Sequence, residues 1–189
     1  MKRCEWAGNT PLYNKYHDEE WGVPVHDDNK IFEFLILETF QAGLSWITIL
    51  RKRENFRKAF DNFDYNKIAE YNEDKVNALL QDTGIIRNNL KIRATISNAK
   101  AFIKVQQDFD SFSKYIWGFV GGKPIHNNFK KMSDIPAKTE LSDKISKDLK
   151  KRCFKFVGST VVYAHMQATG MVNDHVTDCF RYRKLMEKI

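Results

Sequence analysis

His175 and Cys179 stand four residues apart in the stretch HVTDC. On one turn of helix, positions i and i+4 share a face, so the pair has the spacing of two metal ligands. Two ligands do not close a tetrahedral site, and no CxxC pair supplies the rest. Cys4 and His17 are the candidates for the missing two. The four would form a closed Cys2His2 set fastening the N-terminal segment to the C-terminal one. Cys4 and His17 fall in a segment without obvious regular structure, where a metal would explain order. The alternative is a free, exposed Cys4 and a His17 that only caps or packs.

Glu38 is the second residue whose type and place suggest chemistry. At helical spacing it falls on one face with Ile31, Leu35 and Ala42. A carboxylate on an apolar stripe is costly unless it has a partner or a task. It is either a structural group, paired with an arginine or a neighbouring helix end, or part of a site. Trp6, Tyr13, Tyr16, Trp21 and Trp46 cluster in the same part of the sequence. Each alone reads as core. Together with a carboxylate they fit a flat cationic ring, which aromatic faces and a negative charge both attract. An alkylated purine such as 3-methyladenine is such a ring.

Composition sets the frame. The chain has 189 residues, is 42% hydrophobic and carries a net charge of +7. This suffices for one full core, or for two small lobes sharing one cleft. The positive balance favours polyanions, nucleic acid first. Three cysteines, an odd number, speak against a secreted disulfide scaffold and for a reducing cytoplasm. No apolar run reaches the ~20 residues that span a bilayer, and MKRCEWAGNT has no signal-peptide core.

The elements that must position these residues read as helices almost throughout. Capped apolar patterns predict helices over 27–42, 45–60, 72–82, 88–105, 110–120, 141–153 and 159–168. No alternating strand run appears, and 121–140 reads as a loop. The fold class expected is compact all-α. In LLQDTGIIRNNLKI one helix ends near Gln81 and another starts near Arg87, with a tight turn at Thr83 to Ile86. Gly84 permits close backbone approach, and N–H groups at the following helix start can hold a phosphate. This resembles a helix-hairpin-helix DNA-binding element, although any αα-corner can contain glycine. The basic runs at 51–53 and 150–158 read as solvated faces or as phosphate contacts without sequence specificity. Cys153 reads as a small buried residue.

The chain resembles the DNA-3-methyladenine glycosylase I family. The resemblance rests on RCEWAGNTPLYNKYHDEEWGVP, LETFQAGLSWITILRKRENFR, DTGIIRNNLKI, FKFVGSTVVYAHMQATGMVNDH and the closing H-x3-C, and runs from Arg3 to Cys179. It implies a base-excision enzyme of the helix-hairpin-helix superfamily that flips 3-methyladenine from alkylated double-stranded DNA. The enzyme would hydrolyse the N-glycosidic bond and leave an abasic site, with no lyase step. It implies that Glu38 contacts the excised base, that Tyr16 and Trp46 pack around it, and that Trp6, Tyr13 and Trp21 complete the pocket wall. Gly43 and Leu44 match the turn that probes the gap left by the flipped nucleotide. Gly84, Ile85 and Arg87 fall on the DNA-binding hairpin. Cys4, His17, His175 and Cys179 match ligands of one structural zinc ion. Ala164 departs from the family, which carries serine there, and puts one polar contact to the base in doubt. His165 has no assigned role.

The expectation is thus a single glycosylase unit over 1–189, two helical lobes around one base-binding cleft, monomeric and cytoplasmic, without membrane or obligate protein partner. The rivals are a non-catalytic helix-hairpin-helix DNA-binding protein and a zinc-dependent hydrolase or deaminase. The deaminase signature H-x-E…P-C-x-x-C is absent.

Overall fold

The helix α2 (Asp28–Gln41) organises the molecule, because its residues 31–40 are all buried. The carboxylate of Asp27 accepts from Lys30 N at 2.8 Å and starts the helix. Gly43, at φ +84°, turns the chain just after its end. Burial on every side corrects the expectation of a narrow apolar stripe: Glu38 is enclosed as part of a core helix, and Ala42 is exposed.

The computed structural model describes residues 1–187. Among them are nine further α-helices: α1 (Pro11–Glu19), α3 (Trp46–Ala59), α4 (Tyr65–Ala69), α5 (Glu73–Gln81), α6 (Asn89–Phe109), α7 (Phe112–Gly118), α8 (Glu140–Lys151), α9 (Ser159–Ala168) and α10 (Phe180–Met186). The only strands among the described residues are β1 (Ile125–His126) and β2 (Val172–Asn173), a two-residue parallel pair. The all-α expectation therefore holds, with this pair as its small exception.

Local chemistry accounts for most helix starts. Thr10 caps α1, with Pro11 at its first position. Asp64, Asn72, Asn88 and Ser111 accept from the first-turn N–H groups of α4, α5, α6 and α7. Thr139 and Ser142 form a reciprocal box at α8. The helix α1, absent from the sequence reading, gives regular structure to the segment that holds His17.

Helices α3, α6, α7 and α9 pack on α2. Phe40, Phe56 and Phe60 join α2 to α3, and Phe32, Phe102 and Phe112 join it to α6 and α7. The buried charges of Glu33 and Arg53 pair with each other. Glu33 accepts from Arg53 Nε at 2.6 Å, with Arg57 Nη2 2.7 Å away, and Glu20 accepts from Arg53 at 2.8 Å. Arg53 is therefore a structural link and not a phosphate contact, which corrects the reading of the 51–53 run.

Gly170 fixes the far side of the fold. A Cβ there would lie 2.4 Å from the Val23 carbonyl carbon, and its φ is +71°. This close approach seats residues 22–25 on the end of α9, with Gly22 N donating to Gln167 O at 3.0 Å. Trp21 and α1 are thereby held against α9 and the segment after it.

Candidate active site and metal cluster

Three helices turn matched faces toward one cleft of about 360 Å³. From α1 come Tyr13 and Tyr16, and from α2 come Glu38 and Gln41, each pair at i, i+3. From α9 come Thr160, Tyr163, Ala164 and Gln167, the i, i+3, i+4, i+7 face of that helix. Trp46 enters from the first turn of α3, and Trp6 and Trp21 from the segments flanking α1. Residues 132–137 form the rim opposite.

The five aromatics form a cage. Trp6 meets Tyr13 and Trp21 edge-on, with ring centroids 5.3 Å and 4.9 Å apart, and Tyr16 meets Trp46 at 5.3 Å. Tyr16 and Trp46 are buried, and the Trp46 indole N–H has no hydrogen-bond partner among the described residues. An unpaired buried donor in a cleft wall is costly unless a ligand meets it.

Glu38 is 4% exposed and pairs with no cation or hydrogen-bond donor among the described residues. Burial alone pushes its carboxyl up to about 8. The paired Glu33, on the same helix, shows what a structural glutamate looks like here. Glu38 has no such partner, so the structural alternative for it lacks its arginine and its helix end.

The C-terminal end of α2 is held by a buried lysine. Lys91 Nζ donates to Phe40 O at 2.9 Å and to Ala42 O at 2.8 Å. Burial lowers its pKa. Gly43 and Leu44 follow directly, exposed beside the cleft, Leu44 at 40%.

The hairpin between α5 and α6 has the expected shape, with the second helix beginning at Asn89. Asp82 Oδ1 accepts from Gly84 N at 2.7 Å. Lys52 Nζ braces the turn at Thr83 O and Gly84 O, both at 3.1 Å. A Cβ on Gly84 would meet Asp82 Oδ1 at 2.9 Å. Arg87 is exposed, whereas the Ile85 side chain is buried, which leaves only its backbone for a ligand. The Ile86 and Arg87 N–H groups donate to nothing among the described residues, as an anion site requires.

Cys4, His17, His175 and Cys179 converge in the interior. Their ligand atoms all lie within 4.8 Å of one another, and all four residues are buried. His17 Nδ1 sits 2.8 Å from Asp18 Oδ1, which leaves Nε2 toward the cluster. His175 Nε2 sits 3.1 Å from Trp21 O, which leaves Nδ1 toward it. This is the outer-shell pattern of ligating histidines. The hydrogen bond between the thiols pushes Cys4 up and Cys179 down, so without a cation the pair resists double ionisation. The group could hold a metal ion, and two thiolates with two imidazoles suit a tetrahedral one.

Two expectations change. His175 and Cys179 lie on a turn before α10, with Cys179 as its N-cap residue, and not on a helical turn. Cys153 is exposed and sits at φ +69° after α8, not in the core. His165 is buried in the fold, 3.2 Å from Ile31 O, and burial holds its pKa down at about 4. Sequence reasoning missed Gln41, Tyr163 and Gln167 as cleft residues. Their signal was the helical spacing to Glu38 and along STVVYAHMQA.

The methyladenine glycosylase family model matches residues 6–182. The DNA-3-methyladenine glycosylase 1 of Escherichia coli (strain K12) is 50% identical over 182 residues, which cover 96% of this chain and 97% of that one. A crystal structure of a 3-methyladenine DNA glycosylase I superposes with a TM-score of 0.92 at 52% identity, covering 95% of this chain and 98% of that one. A Staphylococcus aureus 3-methyladenine DNA glycosylase I, solved for the structural basis of 3-methyladenine recognition, superposes with a TM-score of 0.92 at 35% identity. It matches 95% of this chain and 96% of that one.

Proposed function

This chain belongs to the methyladenine glycosylase family, and on that premise we propose that it excises 3-methyladenine from double-stranded DNA. The observation that carries the reading is Glu38, buried at the aromatic cleft without a partner among the described residues. A flat cationic base supplies what that carboxyl lacks. Bound against it, the positive ring lowers the Glu38 pKa and leaves a carboxylate facing a cation. The faces of Tyr16 and Trp46, with Trp6, Tyr13 and Trp21 behind them, hold the ring by stacking and cation–π attraction.

The chemistry needs little force. Methylation makes the ring positive, so it leaves well. The C1′–N bond breaks with its electron pair going to the base, which becomes neutral. Water adds to C1′ and gives up a proton, leaving an abasic site. Glu38 also stabilises the positive sugar in the transition state. No lysine lines the cleft among the described residues, which supports hydrolysis without a lyase step.

The nucleotide reaches the cleft by flipping. Leu44, exposed after Gly43, fills the gap left in the stack. The hairpin at Gly84, Ile85 and Arg87 holds phosphates through backbone N–H groups and the guanidinium. The Cys4, His17, His175 and Cys179 cluster holds one zinc ion in a structural role, since four protein donors leave no place for activated water. The whole chain acts as one monomeric unit with two helical lobes about the cleft, in the reducing cytoplasm. Three unbridged cysteines support that compartment.

The test is release of the free base. Methylated DNA incubated with the protein liberates 3-methyladenine and leaves alkali-labile sites. Binding without release would contradict the reading and favour a passive DNA-binding module.

A further inference from the structure

Asp174 lies behind the α9 wall of the cleft, 1% exposed, and accepts three hydrogen bonds. Tyr163 Oη donates at 2.6 Å, Gln167 Nε2 at 2.8 Å and Asn127 Nδ2 at 2.6 Å. Tyr163 and Gln167 are neighbours, one turn apart, on the face of α9 that lines the cleft. A carboxylate only accepts, so the side-chain amide of Gln167 must offer it the NH2 edge. Its remaining polar atom is Oε1, which accepts no hydrogen bond among the described residues. The Tyr163 hydroxyl proton is committed in the same way, which leaves that oxygen as an acceptor. Tyr163 is thus fixed as an acceptor, and Gln167 has one amide N–H committed to Asp174, which leaves Oε1 as its acceptor beside the second N–H.

Adenine and guanine differ on the edge where this matters. Adenine carries an exocyclic NH2 donor where guanine carries a carbonyl acceptor. A carbonyl set against an acceptor leaves both oxygens desolvated and unpaired, the kind of mismatch that a polar pocket rejects strongly. We propose that Gln167, oriented by Asp174, is a specificity determinant that admits adenine-type alkylated bases and turns away guanine-type ones. The inference rests on the glycosylase reading of the same cleft. Gln167 touches the base, and Asp174 acts only through it as a positioning residue.

The experiment is single-turnover release of 3-methyladenine and 3-methylguanine from one sample of methylated DNA. Gln167→Met keeps the volume and removes both polar atoms. Its preference for 3-methyladenine over 3-methylguanine drops by roughly 10-fold, the scale of one polar contact. Partial unfolding scales both rates and cancels in the ratio. Asp174→Asn can donate to Gln167 Oε1 and let the amide turn over, so it lowers the ratio in the same direction. An unchanged ratio in Gln167→Met overturns the assignment, and an unchanged ratio in Asp174→Asn overturns the positioning role. If the unaltered protein releases no 3-methyladenine, the glycosylase reading itself fails. If it does release the base while both ratios stay fixed, only this inference fails.

Discussion

The Trp21 indole stands edge-on to the His175 imidazole, ring centroids 4.6 Å apart and planes at 80°. Trp6 makes a similar contact with His17 at 5.3 Å. The candidate metal cluster and the aromatic cleft therefore share a wall. Holding His17 and His175 in place holds two of the five cage aromatics in place.

Removal of the metal should act on both. Chelation, or replacement of Cys4 or His175, lowers metal content and thermal stability together. Because Trp6 and Trp21 lose their backing, affinity for free 3-methyladenine falls as well, read by tryptophan fluorescence titration. A metal-free protein with unchanged melting temperature would contradict the structural role.

Lys91→Met leaves the carbonyls of Phe40 and Ala42 without their shared donor. A loss of about 1–3 kcal/mol is expected in denaturant unfolding, the usual penalty for stranded buried acceptors. The loosened turn at Gly43 and Leu44 slows excision from duplex DNA more than from an unpaired site. Equal slowing on both substrates would show that Lys91 does not support flipping.

DNA binding should be salt-sensitive and indifferent to undamaged sequence. The chain carries a net charge of +7, and the proposed phosphate site is Arg87 with the N–H groups of Ile86 and Arg87, which donate to nothing among the described residues. Arg87→Ala weakens binding by a similar factor on every duplex and reduces the salt slope by about 1. A preference for one undamaged sequence, or affinity that does not fall with salt, would count against this interface.

Glu38 also makes a stability prediction. Its folded carboxyl is raised from the ordinary 4.5 to about 8. The folded state then holds a proton that the unfolded chain releases. This contribution is fully present below pH 4.5 and is lost as pH rises toward 8. Glu38→Gln removes the dependence, so the variant's advantage over the unaltered protein grows across that window, to several kcal/mol. A gap that stays constant from pH 5 to pH 8 would mean that Glu38 is not desolvated as described.

Much of the site was legible because its signals are local. His175 and Cys179 stood out by their four-residue spacing, and Glu38 by its place in an apolar run. The hairpin stood out by Gly84 between two capped helices. What stayed hidden depended on distant partners. Arg53 reads as surface charge until Glu33 and Glu20 are brought to it. Lys91 reads as one more basic residue until the end of α2 meets it. Asp174 has no local signature, since its donors Asn127, Tyr163 and Gln167 meet it only once β1 and β2 pair and α9 is in place. The helix α1 was missed because its apolar positions face a cleft and a metal cluster, and its polar residues blur the helical period. Cys153 was misplaced because cysteine is usually buried, and nothing nearby in sequence marks the left-handed turn that exposes it.

The Glu38 carboxylate carries the proposed chemistry, and Glu38→Gln tests it most directly. The substitution keeps the shape and removes the charge. Measured on the same preparation, excision of 3-methyladenine should fall by roughly 10- to 1,000-fold, the scale of one well-placed electrostatic contact. Binding of undamaged duplex should persist, because phosphate contacts lie elsewhere, and thermal stability at neutral pH should hold or rise. A variant that excises at the full rate, or one that loses stability while each folded molecule stays fully active, would contradict the assignment.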